Sequence, residues 1–285
     1  MTIPESELII NSDGSVYHLH LCPGDVARDI ITVGDPDRVD AITKHFDKIH
    51  LTKSNREFKT VTGSIGSKDI TVIATGIGTD NIDIVFNELD ALFNIDFSTR
   101  QVKPDTTSLS FVRIGTSGAI RKDIAIDSII ASQYACGIDG LLNHYASDHI
   151  REIDLEHLLS ESTSLSSTYA VSADNTMLSK FKEISKLGIT LTANGFYGPQ
   201  SRSLRINAKY DIPKMMKDLS YQGLKFTNLE METAGIYGMA KLLGHKAISL
   251  NAILANRVTG EFSDQAVKTV DKLIEGSLEV LTNSK

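Results

Sequence analysis

The stretch Phe111-Val112-Arg113-Ile114-Gly115-Thr116-Ser117-Gly118-Ala119-Ile120 decides how this chain is read. Apolar and β-branched residues from Leu109 to Ile114 predict a buried strand, and the glycines and hydroxyls at 115–118 predict a loop directly after it. Loops at the carboxyl ends of strands hold ligands in open α/β sheets. Arg113 lies inside the apolar run, where an unpaired guanidinium is costly, so it requires an internal carboxylate or a bound anion. Thr116 and the backbone N–H groups of 115–118 add donors for the same anion. Taken alone, an arginine paired with an internal carboxylate beside a structural turn is the simpler account. Two further arginines at strand ends and a later pair of carboxylates weigh toward the anion.

Working outward, Asp29 to Val33 predicts a short buried strand that runs into Gly34-Asp35-Pro36-Asp37-Arg38-Val39. Asp35 suits a helix cap, Pro36 suits the first helical position, and Val39, Ile42 and Phe46 continue at helical spacing. The start of that helix offers N–H groups and a positive dipole end to an anion, and Arg38 falls in its first turn. Three β segments are expected at 48–53, 56–65 and 68–75, with Arg56 at the turn between the first two. There the position alone favours a solvated arginine. Thr75-Gly76-Ile77-Gly78 precedes an amphipathic helix carrying Ile82, Val85, Phe86 and Leu89, but Asn81 replaces the third glycine of a dinucleotide fingerprint. Residues 1–15 are polar and expected to be loosely held; Val16 to Leu21 alternates like a strand and contains His18. Residues 94–108 read as a surface excursion, and 137–170 carry no clear pattern.

Downstream, Asn194-Gly195-Phe196-Tyr197-Gly198-Pro199-Gln200-Ser201-Arg202 gathers an aromatic ring, an amide and a guanidinium in one loop. Such a set suits a planar polar ligand, stacked on Phe196 and bonded in plane by Gln200 and Arg202. Leu229-Glu230-Met231-Glu232-Thr233-Ala234 is expected to open a helix, with its two carboxylates complementing the dipole or gripping vicinal hydroxyls. A strand from Ala247 to Leu254 ends at Ala255-Asn256-Arg257, before a final helix. Repeated strand-then-helix units make the chain α/β.

Composition removes several classes. A net charge of −7 over 285 residues, with no Lys/Arg block, argues against nucleic acid or an anionic membrane as main partner. Cys22 and Cys136 stand far apart, which disfavours a disulfide framework or structural zinc and fits a reducing cytoplasm. His144, His149 and His157 lack the pairing a zinc protease needs, and no metal is expected. Neither an export signal nor a membrane span is indicated.

The segments at 34–38, 55–58, 75–78, 113–120, 196–202, 230–234 and 256–257 together resemble the nucleoside phosphorylases in order and spacing, most closely those acting on uridine. The resemblance runs from His18 to the last helix. It implies a single three-layer α/β/α domain with a central mixed β-sheet. By this likeness Gly34, Arg38, Arg56, Arg113 and Thr116 form a phosphate site, with Arg56 supplied by a neighbouring subunit. His18, Glu230, Met231 and Glu232 contact ribose, His18 across the subunit interface. Phe196, Gln200 and Arg202 bind the base, and Arg257 helps stabilise the leaving group, so that Arg113, Glu232 and Arg257 are the expected catalytic residues.

The implied chemistry is attack of inorganic phosphate on the anomeric carbon as the glycosidic bond breaks, with no cofactor, in a homo-oligomer that is a dimer or a hexamer of dimers. Relatives that act on purines protonate the ring with an aspartate where Asn256 stands, and an asparagine cannot serve as that acid. Two departures are noted. Gly198-Pro199 inverts the usual proline–glycine order. Asn81 stands where relatives carry a small hydroxyl residue at a monovalent cation site between subunits, although Glu57 matches another residue of that site. The competing readings are a phosphate-independent nucleoside hydrolase on the same fold and a nucleoside-binding protein without turnover.

Overall fold

The computed structural model describes residues 2–165 and 167–283. β1 (Asp29–Val33) leads into α1 (Pro36–Thr43), whose start is fixed by the Asp35 carboxylate accepting from Asp37 N at 3.0 Å. Val39 and Ile42 are buried, but α1 stops at Thr43, so Phe46 packs on the core from the turn beyond the helix. β2 (Lys48–Asn55), β3 (Phe58–Ile65) and β4 (Lys68–Ala74) form an antiparallel meander. α2 (Thr79–Asn94) buries Ile82, Val85, Phe86 and Leu89, and the Phe86 ring stacks on Phe111 with centroids 4.3 Å apart. The excursion after it contains a small hairpin of β5 (Ile95–Asp96) and β6 (Gln101–Val102).

Next come β7 (Ser110–Ala119), β8 (Ile129–Gly137), α3 (Ile153–Ser162), β9 (Tyr169–Ser172), α4 (Asn175–Phe181) and β10 (Lys186–Thr192). The chain finishes with α5 (Ile212–Met216), β11 (Ser220–Tyr221), β12 (Leu224–Glu230), α6 (Thr233–Leu242), β13 (Lys246–Asn256), β14 (Glu261–Phe262) and α7 (Ala266–Asn283). Among the described residues twelve strands make one mixed sheet, in the order β11-β12-β10-β8-β13-β7-β1-β4-β3-β2, with β9 on β8 and β14 on β13. β1 runs parallel to both β4 and β7, and β7 runs parallel to β13. One end of the sheet closes on itself: β12 pairs back onto β7 through Asn228↔Ala119 and Leu229↔Gly118. Strands β7, β13, β8, β10 and β12 therefore form a ring.

Three expectations are corrected by this arrangement. Residues 115–118 are strand, because β13 continues to pair with β7 from Asn251↔Gly115 to Asn256↔Ala119 and supplies the hydrogen bonds a loop would lack. The Glu230–Glu232 segment is the junction between β12 and α6, with Glu230 closing the strand and Glu232 preceding the helix. The amino-terminal segment is anchored over residues 2–15: Arg100 donates to the carbonyls of Ile3, Pro4 and Leu8, and Ile3 N donates to Arg100 O at 2.8 Å. Met1, the first residue of that segment, lies outside the described residues.

Val16 to Leu21 is a turn in place of the strand its alternation predicts. The reason is Glu88 on α2, a buried carboxylate that accepts from His18 N at 3.0 Å and Leu19 N at 2.8 Å and pairs with His18 Nδ1 at 2.6 Å. Removing it strands two backbone donors, and Glu88→Ala is expected to cost about 1–3 kcal/mol in urea unfolding. A loss under about 0.5 kcal/mol would show that another group holds this turn.

Candidate active site

Arg113 is buried on β7, and its side chain folds back over Gly115, the next residue on the same face of the strand. Any Cβ at position 115 would collide with the guanidinium, so this glycine clears the space that Arg113 occupies. Arg113 Nη2 donates to Glu232 Oε2 at 2.6 Å and lies 3.1 Å from Glu230 Oε2, while Nη1 donates to Asn251 Oδ1 at 3.0 Å. Burial alone would lower its basicity, and the two carboxylates more than offset that, holding the guanidinium above its ordinary range.

The two glutamates have different work. Glu230 accepts from Thr192 Oγ1 at 2.5 Å, from Glu232 N at 2.9 Å and from Thr233 N at 2.9 Å, so its carboxylate is filled by hydroxyl and backbone donors at the start of α6. Glu232 holds Gly78 N at 2.9 Å on one oxygen and Arg113 on the other, which leaves lone pairs for a ligand's hydroxyl groups. Gly78 can make that contact because its φ of +101° turns the backbone at the start of α2, a conformation that favours glycine. Burial pushes the Glu232 carboxyl up, Arg113 opposes this, and the charge of Glu230 adds to the rise.

These groups border a cavity of about 550 Å³. Its wall includes Gly34, Arg38, Arg113, Thr116, Phe196, Gln200, Arg202, Glu230, Met231 and Glu232. Arg38 is the freer cation: it donates to Ile114 O at 3.3 Å, and burial followed by repulsion from Arg113 lowers its basicity. An anion placed beside Arg38 would relieve that repulsion. In the 196–202 loop the Arg202 guanidinium lies 3.8 Å over the Phe196 ring and donates to Gln200 Oε1 at 2.6 Å. With its oxygen taken by Arg202, the amide N–H groups of Gln200 are what it has left to offer a ligand in the cavity it lines. Burial, then the nearby Arg257, lowers Arg202 to about 10.

Three expected residues lie outside this wall. Arg257 is behind the loop, donating to Gln200 O at 2.9 Å and Ser201 O at 3.4 Å, and it borders a neighbouring cavity of about 880 Å³. Its stem passes over Gly118, where a Cβ would come within 3.4 Å of Arg257 Cγ, so it ties the loop backbone to the end of β7. His18 and Arg56 share a surface patch around Tyr17, with the Tyr17 and His18 rings edge to face at 4.8 Å and Arg56 5.4 Å from the Tyr17 ring. Arg56 adopts φ +54° at the β2–β3 turn, and Asn55 Nδ2 donates to His18 O at 2.7 Å. Glu57 and Asn81 converge over Gly76.

Several contributors escaped the sequence reading, among them Asn251, Asn228, Ser117 and the Gly78 backbone. Asn228 and Asn251 are fully buried amides inside apolar strands, the same signal that singled out Arg113. Gly115→Ala displaces the guanidinium from Glu232 and Asn251, and is expected to weaken binding of inorganic phosphate by about 10- to 100-fold in titration calorimetry. Unchanged phosphate affinity would mean that the side chain finds an equivalent place.

The match to known proteins agrees with this geometry. Residues 28–281 match the model of the phosphorylase superfamily. A uridine phosphorylase from Thermococcus kodakarensis is 30% identical over 94% of this chain and 87% of its own length. A DeoD-type purine nucleoside phosphorylase from Bacillus velezensis is 24% identical, covering 86% of this chain and 89% of the relative. Among solved structures, a Trypanosoma brucei nucleoside phosphorylase described as showing uridine phosphorylase activity superposes with a TM-score of 0.89 at 26% identity, covering 97% of this chain and all of that one. Matched along nearly its whole length, this chain belongs to the phosphorylase superfamily.

Proposed function

We propose that the chain is a uridine phosphorylase, catalysing reversible phosphorolysis of uridine to uracil and ribose 1-phosphate in pyrimidine nucleoside salvage. One observation carries this reading: a single cavity joins the Arg38–Arg113 pair, the half-open carboxylate of Glu232 and the Gln200–Arg202 amide–guanidinium pair. Each matches one part of the reaction. Arg38, Arg113, Thr116 and the Gly34 turn hold the phosphate nucleophile. Glu232 accepts from the ribose hydroxyls, with Met231 against the sugar, while Glu230 keeps Arg113 and the start of α6 in place.

As a phosphate oxygen bonds to the anomeric carbon, the glycosidic C–N bond breaks and its electron pair passes to the uracil ring. Negative charge spreads to the uracil carbonyls, where the amide N–H groups of Gln200 and the guanidinium of Arg202 donate. Asn256 supports a pyrimidine. Its Nδ2 donates to Arg121 O at 2.9 Å and Ile124 O at 2.8 Å, its Oδ1 accepts from Val258 N at 2.9 Å and Thr259 N at 3.2 Å, and it has no acidic proton for a purine ring.

The same reading takes phosphate as co-substrate without a further cofactor, and takes the enzyme as a cytoplasmic homo-oligomer in which a neighbour's His18 and Arg56 complete each site. Glu57 and Asn81 at Gly76 are where a monovalent cation between subunits would be sought. No helix among the described residues is long and apolar enough to cross a membrane, and both cysteines are free thiols.

The test is release of free base from uridine and from inosine, each with and without inorganic phosphate. Phosphate-dependent cleavage of uridine alone is expected. Cleavage without phosphate would identify a hydrolase, cleavage of inosine would overturn the base assignment, and ligand binding without turnover would identify a binding protein. Arg113→Ala should abolish phosphate use while weakening nucleoside binding by less, and a variant with unchanged turnover would remove Arg113 from the site.

A further inference from the structure

Five strands close the ring, and a hydrogen-bonded chain crosses every seam of it. Arg113 on β7 donates to Asn251 on β13 at 3.0 Å, and Asn251 Nδ2 lies 3.3 Å from Ser132 Oγ on β8. Ser132 Oγ is 2.5 Å from Thr190 Oγ1 on β10. Thr190 bonds Asn228 Oδ1 on β12 at 2.9 Å, and Asn228 Nδ2 bonds Ser117 Oγ, back on β7, at 2.9 Å. The four groups between Arg113 and Ser117 are completely buried.

The chain is oriented at both ends: a guanidinium can only donate, and Asn228 Oδ1 accepts from Thr190 and, at 2.8 Å, from Thr227 Oγ1. Arg113 therefore faces the oxygen of Asn251 and turns its amide N–H groups toward Ser132. Thr190 spends its one proton on Asn228 Oδ1, so across the 2.5 Å Ser132–Thr190 contact the donor is Ser132. With its oxygen held by both threonine hydroxyls, Asn228 turns its N–H groups toward Ser117. Ser117 accepts from inside the protein, and among the described residues its hydroxyl donates to none. It lines the cavity beside Gly118, in the same wall as Gln200 and Phe196.

We propose that Asn228 is a positioning residue that fixes Ser117 as a hydrogen-bond donor into the cavity, so that Ser117 donates to the departing pyrimidine. The inference rests on the uridine phosphorolysis reading. A donor held in this way needs no reorientation as charge grows on a carbonyl, and a chain of aligned hydrogen bonds polarises its last member.

The test is a double-mutant cycle on kcat/KM for uridine at saturating phosphate. Ser117→Ala and Asn228→Asp are each expected to lose about 3- to 10-fold, since a carboxylate at 228 accepts from Ser117 and draws its proton inward. The double variant should be no worse than Ser117→Ala, and Ser117→Thr should recover most of the loss by restoring a hydroxyl. Should Asn228→Asp fail to fold, Asn228→Leu removes the donor to Ser117 while keeping the branched shape of the side chain, and the same cycle applies, since Thr227 would still orient the amide if Thr190 alone were changed. Losses that multiply in the double variant, or a Ser117→Ala enzyme at the wild-type rate, would overturn the inference while leaving the function intact. Wild-type protein that does not cleave uridine would overturn the functional reading and this inference with it.

Discussion

A guanidinium buried in a β-strand is the constraint on which the rest of this site depends. Leaving such a charge unpaired inside a protein costs about 3–5 kcal/mol, so the surroundings of Arg113 have to be built from acceptors. They come from two other strands and a junction: Asn251 on β13, Glu230 at the end of β12, and Glu232 just before α6. Gly115 supplies the room. Because the cation only donates, it also holds the oxygen of Asn251 toward itself and the amide N–H groups of that residue toward Ser132.

Ring closure is what turns these local requirements into a cavity. β7 pairs with β13 along its length, with β1 over Ser110–Arg113 and with β12 at its carboxyl end, so Arg113 and the carboxylates meet at one rim. The start of α2 reaches the same rim through Gly78 N, which gives the Thr75–Gly78 turn a role as a clamp on Glu232. Two carboxylates share one guanidinium, and this asymmetry separates them. Glu230 is filled by backbone and hydroxyl donors, whereas Glu232 keeps acceptor capacity for the ligand.

The loop carrying Phe196, Gln200 and Arg202 is held differently. Arg202 lies on the Phe196 ring and fixes the Gln200 amide from one side, while Arg257 grips the backbone of Gln200 and Ser201 from the other. Burial, and then repulsion between Arg202 in the loop and Arg257 behind it, lowers the basicity of Arg202. An electron-rich carbonyl brought to this edge is favoured by the same field.

Local rules were enough for much of the fold. The Asp35–Pro36 start of α1, the three-stranded meander and the apolar face of α2 follow from capping, alternation and helical spacing, each a property of a few neighbouring residues. Arg113 announced itself in the same way, as a charge where burial forbids an isolated one. The sequence alone therefore determined the α/β class, the order of the elements and the residue types gathered around the cavity. Tertiary structure decided that 115–118 is strand, that Val16 to Leu21 turns around Glu88, that Arg257 stands behind the 196–202 loop, and that Asn228 faces Ser117. Each of these depends on a partner far away in the chain, and hydrogen-bonding capacity read from a single segment does not say which distant group will fill it.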